Sequence, residues 1–597
     1  MADGISITAK RVAALVLTGG GQKYWIEEEL FTDEELEAQR KETFPRDITF
    51  SILMSLYNGD GDHLRESIRS VMEQTYSKWE LCIVDGSDKD SPLTEEICRE
   101  FAHSDSRIKY RKLDVNKGMS GNLNEAIGMA GGEYISLLEQ GDVLHPAALH
   151  ETMAALLEGA DFIYTDEAVF EGEDRSKIKV INYKPDFGPD SLNGSNFIKH
   201  FTSFKKSLVE KTGAFRSEYD GSHDHELFLR LTGAAEHIVH IPEVLYYRRE
   251  ISDPSGGSVA SGDPMPEKSE AIAAGARGVE DNLRAKGIDA RGEPNGDFGF
   301  FYRVHYPIKN RSKISIIIPN YEHLSDLSKC LDSIFEKSTY DNYEIIIVEN
   351  NSRSAGIFDY YDKITSEHDN IKVIKWDGKF NYSAVNNFGV KTAAEGEYLL
   401  LLNNDTEVIT PEWMEEMLMY VQRRDVGAAG AKLYYPDDTV QHAGVVLGLG
   451  SVAGHVSMRS PREDGGYMGR NIFAQNYSAV TGACMMIRRD VWDEVGGLDE
   501  AFAVAYNDVD FCLKVREAGY LIVWTPFAEL YHYESKSRGS NRTPRQLKTH
   551  LKEVKMLRER WSDFLEKGDP YYNPNFTLCR SDYMPKTRMR QLKKNTW

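Results

Sequence analysis

At 597 residues the chain is too long for one hydrophobic core, and at roughly 100 to 200 residues per domain it should fold as several units. Hydrophobic residues at 41% and charged residues at 28% are ordinary globular usage and exclude a disordered or fibrous chain. A formal net charge of -23 repels polyanions and excludes nucleic acid as the main partner.

In chain order, residues 1–46 form an N-terminal segment without a core pattern. Ala13 to Leu17 is too short for a signal-peptide core, Gly19-Gly-Gly21 lacks the Lys-Ser/Thr of a phosphate-binding loop, and no apolar run approaches the ~20 residues of a membrane span. From Ser51 onward short apolar runs alternate with amphipathic segments such as Leu64 to Glu73 and Leu324 to Glu336. This is the signature of parallel strands joined by crossover helices. The runs come in two sets. Ser51 to Tyr57, Leu81 to Asp85 and Glu133 to Leu138 recur as Ser315 to Tyr321, Ile345 to Glu349 and Glu397 to Leu402, all at an offset of 264 residues. Further on, Leu227 to Arg230 recurs as Phe511 to Lys514 at an offset about twenty residues larger, which places an insertion between Tyr434 and Ser478 of the second copy, in a surface loop.

The expected organisation is a first α/β domain over 47–250 and a second over 313–540. A Pro/Gly/Ser-rich linker with a helix near Glu267 to Lys286 spans 251–312, and an extension over 541–597 is helical at Leu547 to Leu565. The extension ends in five basic residues between Lys586 and Lys594, read as a solvated end or a weak contact with anionic lipid. Cys82, Cys98, Cys330, Cys484, Cys512 and Cys579 form no Cys-x-x-Cys pair and read as buried thiols of a cytoplasmic protein.

In open parallel sheets ligands bind beyond the carboxyl ends of the strands. In the second copy those positions hold Pro319-Asn-Tyr321, Glu349-Asn-Asn-Ser352 and Asn403-Asn-Asp405-Thr406. Their carboxylates and amides suit a base and ribose, and Asp405 is placed to hold Mg or Mn against a diphosphate. Asp508, at the start of a helix after Tyr506-Asn507, is either a helix cap or a general base toward an acceptor hydroxyl; from the residues alone capping comes first.

These motifs, together with Gln475 to Cys484, Asn507 to Leu513 and Glu529 to Ser535, resemble glycosyltransferase family 2. Within it the likeness is to the tandem enzymes described as rhamnosyltransferases of bacterial surface polysaccharides, and it covers about residues 45 to 575. The resemblance implies two tandem GT-A domains, of the Rossmann-like nucleotide-diphospho-sugar transferase type with mostly parallel central sheets. It implies inverting transfer from a nucleotide-diphospho-sugar, such as dTDP-rhamnose, to a glycan or lipid-linked oligosaccharide, in the cytoplasm or at the inner face of the membrane. It further implies Asp508 as the base, Asp405 and His532 as metal ligands, and donor contacts at Pro319, Tyr321, Glu349, Asn381 and Asn403. In the first copy Tyr57, Asp85, Asn116 and Glu139 suit donor binding and Asp224 matches the base. There the acidic motif reads Glu139-Gln-Gly-Asp142, with Gly141 in place of Asp405 and a tyrosine, near Tyr247, in place of His532. Asp142 is the one remaining candidate ligand. On this reading either both domains are active, or the second alone is and the first is a binding or scaffold domain. His442 and His455 take no role, and Gly448 to Gly454 is a loop rather than a dinucleotide motif because Pro461 and Gly465-Gly466 break the chain where a helix is required.

Overall fold

The computed structural model describes residues 31–89, 91–172, 174–250, 267–533 and 544–586. The chain divides into two compact units, one ending at Val304 and one running from His305 to Met584 together with Gly188–Ser191.

In the first unit the apolar runs form β1 (Phe50–Leu56), β2 (Trp79–Asp85), β3 (Ile108–Lys112), β4 (Tyr134–Leu137) and β5 (Val143–Leu144). They are followed by β6 (Phe162–Glu171), β7 (Ile178–Asn182), β8 (Thr202–Lys205) and β9 (Ile238–Glu250). The sheet order is β3-β2-β1-β4-β8-β6-β9-β5, with β7 beside β6. Strands β3 to β4 are parallel, and β8 enters antiparallel to both β4 and β6. Every residue of β1 is buried, as expected of a strand covered on both faces by helices. The amphipathic run after β1 becomes the helix Gly61–Met72, which buries Leu64, Ile68 and Val71 and is capped by Asp60. Ahead of the sheet, the helix Asp33–Lys41 starts in a capping box between Thr32 and Glu35, and Phe31, Leu36 and Phe44 pack on the core.

Two strands, β10 (Arg291–Pro294) and β11 (Tyr302–His305), follow the helix Lys268–Ala285. That helix lies in the stretch expected to be a linker, yet it is part of the first unit: Ser222 Oγ donates to Ala271 O at 2.8 Å, and Gly278 lies against Glu226. The Pro/Gly/Ser-rich stretch from Ser252 lies outside the described residues.

The second unit contains β12 (Ile314–Asn320), β13 (Tyr343–Glu349), β14 (Ile371–Lys375), β15 (Tyr398–Leu402), β16 (Thr406–Val408) and β17 (Val426–Tyr434). After these come β18 (Val440–His442), β19 (Val445–Leu447), β20 (Ala453–His455), β21 (Gln475–Asn476), β22 (Cys484–Arg488) and β23 (Leu521–His532). The order β14-β13-β12-β15-β22-β17-β23-β16 reproduces that of the first sheet. The registers repeat as well: Phe50 pairs with Trp79 and Tyr134, and its counterpart Ile314 pairs with Tyr343 and Tyr398. The inserted stretch between β17 and β22 carries β18, β21 and the hairpin β19–β20. Gly448 to Gly454 lies within that hairpin, closed by Gly448 N donating to Val452 O at 2.8 Å, and no helix begins there.

Beyond β23 the chain folds back onto its own unit through the helices Pro544–Arg560 and Ser562–Lys567. Arg560 Nη1 and Trp561 Nε1 both donate to the buried Asp510 Oδ1 at 2.9 Å. Of the six thiols, five are buried; Cys579 is exposed, contrary to expectation. Among the described residues no helix is long and apolar enough to cross a membrane. Residues Ala13 to Gly21 and the last of the basic residues lie outside the described set.

Candidate active site

The antiparallel pairing of β16 with β23 sets Thr406 opposite His532. Asp405 therefore meets the histidine: His532 Nε2 lies 3.2 Å from Asp405 Oδ1. The ring is held from behind by a residue the sequence did not single out. Gln441, on β18, places Oε1 at 2.6 Å from His532 Nδ1 and donates through Nε2 to His532 O at 3.2 Å. A carbonyl acceptor on Nδ1 fixes the proton there, so the Nε2 lone pair is turned toward Asp405, and Asn403 Nδ2 sits 3.2 Å from that same nitrogen. One imidazole and one carboxylate on neighbouring strands, with the imidazole oriented from behind, fit a divalent ion that completes its shell with a diphosphate and water.

Asp508 is the second residue of the helix Asn507–Glu517, whose cap position is Tyr506 at φ 61. Its Oδ1 accepts from Val509 N at 2.9 Å and its Oδ2 from Gly482 N at 3.0 Å. Gly482 belongs to the turn before β22, and Tyr382 OH donates to its carbonyl at 2.8 Å. Two backbone amides fix the carboxylate at the helix start, and its remaining lone pairs are left for a substrate hydroxyl.

Of the expected donor-binding residues, Pro319, Tyr321, Glu349 and Asn403 lie at the ends of β12, β13 and β15. Tyr321 is half exposed at 50%, and Pro319 pairs with Val348 one step before Glu349. Glu349 is buried and bonded from within, with Oε2 accepting from Tyr361 OH at 2.7 Å and Ser352 Oγ at 2.8 Å. Asn381 serves the fold instead, capping the helix Tyr382–Ala393 by accepting from Ala384 N at 3.1 Å, and its amide donates to Glu500 O at 2.7 Å. His442 is buried, with Nδ1 3.2 Å from Nδ1 of His455; burial, with His455 and His532 nearby, holds its pKa well below the usual range.

The first unit gathers a different set. Glu139 follows β4, Asp224 stands in the first turn of the helix His223–Ala234, and Lys199 precedes β8. Lys199 Nζ lies 2.7 Å from Glu139 Oε1 and 2.7 Å from Asp224 Oδ2. His200 bridges Glu139 Oε1 at 3.1 Å and Glu167 Oε2 at 3.0 Å, with its ring stacked on Tyr246 at 4.8 Å. Burial opposes all these charges, but the pairing outweighs it: Glu139 and Asp224 are held below the usual carboxylate range, and Lys199 and His200 above theirs. Asp142 is a structural acid. Its Oδ2 accepts from Tyr246 OH at 2.6 Å and its Oδ1 from Arg249 N at 2.9 Å, and burial, then the Glu139 charge, pushes its pKa up to about 7. Asp85 is likewise consumed internally, by Tyr110 OH at 2.7 Å, Lys112 at 3.2 Å and Ser87 N at 2.8 Å. Tyr57 OH donates to Asp88, and Asn116 Oδ1 accepts from Gly118 N.

Val143 pairs with Tyr247 as Glu407 pairs with Tyr531, so the register places Arg248, not Tyr247, at the position of His532. Gly141 stands at the place of Asp405 with φ +89, a conformation that disfavours any side chain there.

The sequence pattern of glycosyl transferase family 2 matches twice, over residues 51–213 and 315–496, one match in each unit. The chain belongs to this family. Among its relatives, the uncharacterized protein y4gI of Sinorhizobium fredii is 41% identical over 89% of this chain and 58% of its own length. The O-antigen biosynthesis protein RfbC of Myxococcus xanthus is 33% identical over 89% of this chain and 40% of its own. The chain thus spans little more than half of the first relative and less of the second. Among solved structures, TarS 1-349 of S. aureus in complex with UDP-GlcNAc aligns over 40% of this chain and 66% of its own, at 16% identity and a TM-score of 0.33.

Proposed function

We propose that the second unit transfers a sugar from a nucleotide-diphospho-sugar to a glycan hydroxyl, with inversion at the anomeric carbon, in the assembly of a surface polysaccharide. The observation that carries this reading is the pairing of Asp405 with a His532 oriented by Gln441, on the sheet whose neighbouring turn at Gly482 holds Asp508. Asp508 takes the proton of the acceptor hydroxyl as its oxygen bonds to the anomeric carbon, and the bond from that carbon to the phosphate oxygen breaks with its electron pair on the diphosphate. Tyr321, Glu349, Pro319 and Asn403 border the place of the nucleotide. A divalent cation held by Asp405 and His532, Mg or Mn, would offset the charge of the leaving diphosphate. The O-antigen name of one relative supports a polysaccharide acceptor, in free or lipid-linked form at the inner face of the membrane. The resemblance set out above supports a dTDP-linked deoxy sugar such as rhamnose as donor.

The test is a screen of the full chain against sugar nucleotides and oligosaccharide acceptors with Mn or with EDTA. Transfer that requires Mn and is lost in Asp508→Asn supports the reading. Equal turnover by Asp508→Asn would remove the base from it.

A further inference from the structure

The first unit does not fit the metal that suits the second. The place of Asp405 is Gly141, whose φ of +89 strains any side chain there, and the place of His532 is Arg248. Asp142, next to Gly141, spends both carboxylate oxygens on Tyr246 and the Arg249 amide.

What the first unit has instead are fixed cations. Strand β8 pairs with β4 as β22 pairs with β15, Tyr134 with Lys205 and Tyr398 with Arg488; counting back along the two strands sets Lys199 where the second unit has Gly482. A residue without a side chain is replaced by one carrying an ammonium, and that ammonium touches both Glu139, at the place of Asn403, and Asp224, at the place of Asp508. Lys199 keeps 29% of its side chain exposed and borders a pocket with Glu139, His200, His223 and Asp224. An ammonium has three donors, so two carboxylate contacts leave one for a ligand. Arg248 lies two residues from Tyr246 along β9 and so on the same face, toward the same site, and the charges of Glu167, Asp142 and Glu139 act on it, holding its pKa above the usual range. The cationic groups Lys199, His200 and Arg248 stand against the carboxylates Glu139, Glu167 and Asp224, so little net negative charge is left to draw in a metal ion.

We infer that the first unit is a metal-independent site for a nucleoside diphosphate group, whose charge is met by the ammonium of Lys199 and the guanidinium of Arg248. This rests on the reading of both units as nucleotide-sugar domains. Lys199 then does in one unit what the divalent ion does in the other: it neutralises the acidic site and leaves a positive donor facing the phosphates.

The experiment is calorimetric titration of the full chain with UDP, dTDP and GDP, in EDTA and in Mn. The expected result is one equivalent of one of these nucleotides per chain in EDTA and a second in Mn. Lys199→Met with Arg248→Gln should weaken the EDTA-resistant equivalent roughly thirtyfold or more while leaving the Mn-dependent one. Lys199→Arg, which keeps the charge, should retain it and so controls for misfolding. Asp405→Ala should remove only the Mn-dependent equivalent. A single Mn-dependent equivalent with none in EDTA would overturn the inference and leave the second unit's reading standing. So would two Mn-dependent equivalents, or an EDTA-resistant equivalent indifferent to the double variant. No binding under either condition would overturn both readings.

Discussion

The residue that best tests the proposed metal site is Gln441, because it touches neither metal nor substrate. Its side chain is 3% exposed, and its Oε1 accepts from His532 Nδ1 at 2.6 Å. That bond keeps the imidazole proton on Nδ1 and the Nε2 lone pair facing Asp405, 3.2 Å away. In Gln441→Met the volume is nearly kept but the acceptor is lost. The ring can then carry its proton on Nε2 and donate it to Asp405, which ties up both ligands at once. Loss of such an orienting partner typically weakens metal binding by about 10- to 100-fold, or about 1.4 to 2.8 kcal/mol. The same change strands the carbonyl of His532, which accepts from Gln441 Nε2 at 3.2 Å, so a stability loss of about 1 kcal/mol should accompany it. Mn binding to the full chain, followed by electron paramagnetic resonance, reads the affinity directly, and turnover should fall in parallel at limiting Mn and recover at saturating Mn. Affinity within twofold of the parent chain would refute the reasoning and leave Gln441 as packing.

Other outcomes follow from the same geometry. Asp508→Asn should lower turnover by about 10² to 10⁴ while nucleotide affinity, measured by calorimetry, stays within a fewfold. Gly141→Asp should not install a metal site in the first unit; with φ at +89 it should cost about 1 kcal/mol or more in urea unfolding and add no Mn equivalent. Asp142 has its folded pKa raised to about 7 from 3.8, so its contribution to stability is full below the unfolded value and is lost as pH rises through about 7. Asp142→Asn should therefore lose less stability than the parent chain between pH 5 and pH 8, as read by urea midpoints.

Much of the architecture was legible because it is written in long apolar runs. Ile314 to Asn320 and Phe50 to Leu56 repeat at a fixed offset, and the structure pairs them in identical register. Asp405 could be picked out because it follows such a run, whereas Asp508 as base and His532 as ligand rest on the family resemblance. Lys199 carried no comparable signal: it is a single lysine in the turn before β8, beyond the point where the two copies differ in length, so comparison at one offset passes over it. Arg248 was missed by one residue. The bulges that shift the register between β6 and β9 differ from those between β17 and β23, and one residue along a strand exchanges the faces. Gln441 lies in the stretch where the second copy carries its insertion, so the first copy gave no counterpart to compare. Glu349 stands at a strand end and Asn381 at a helix cap, and the structure shows their polar atoms already in use by Tyr361 and Ser352 and by Ala384 and Glu500.

The most direct test of the central proposal is the stereochemistry and metal dependence of the product. The full chain, supplied with a nucleotide-sugar of known anomeric configuration and a glycan acceptor, is followed by nuclear magnetic resonance in Mn and in EDTA. The account predicts a glycoside of opposite configuration, formed in Mn and lost in EDTA and in Asp508→Asn. A product of retained configuration, or one formed equally well in EDTA by a chain carrying Asp405→Ala, would contradict it.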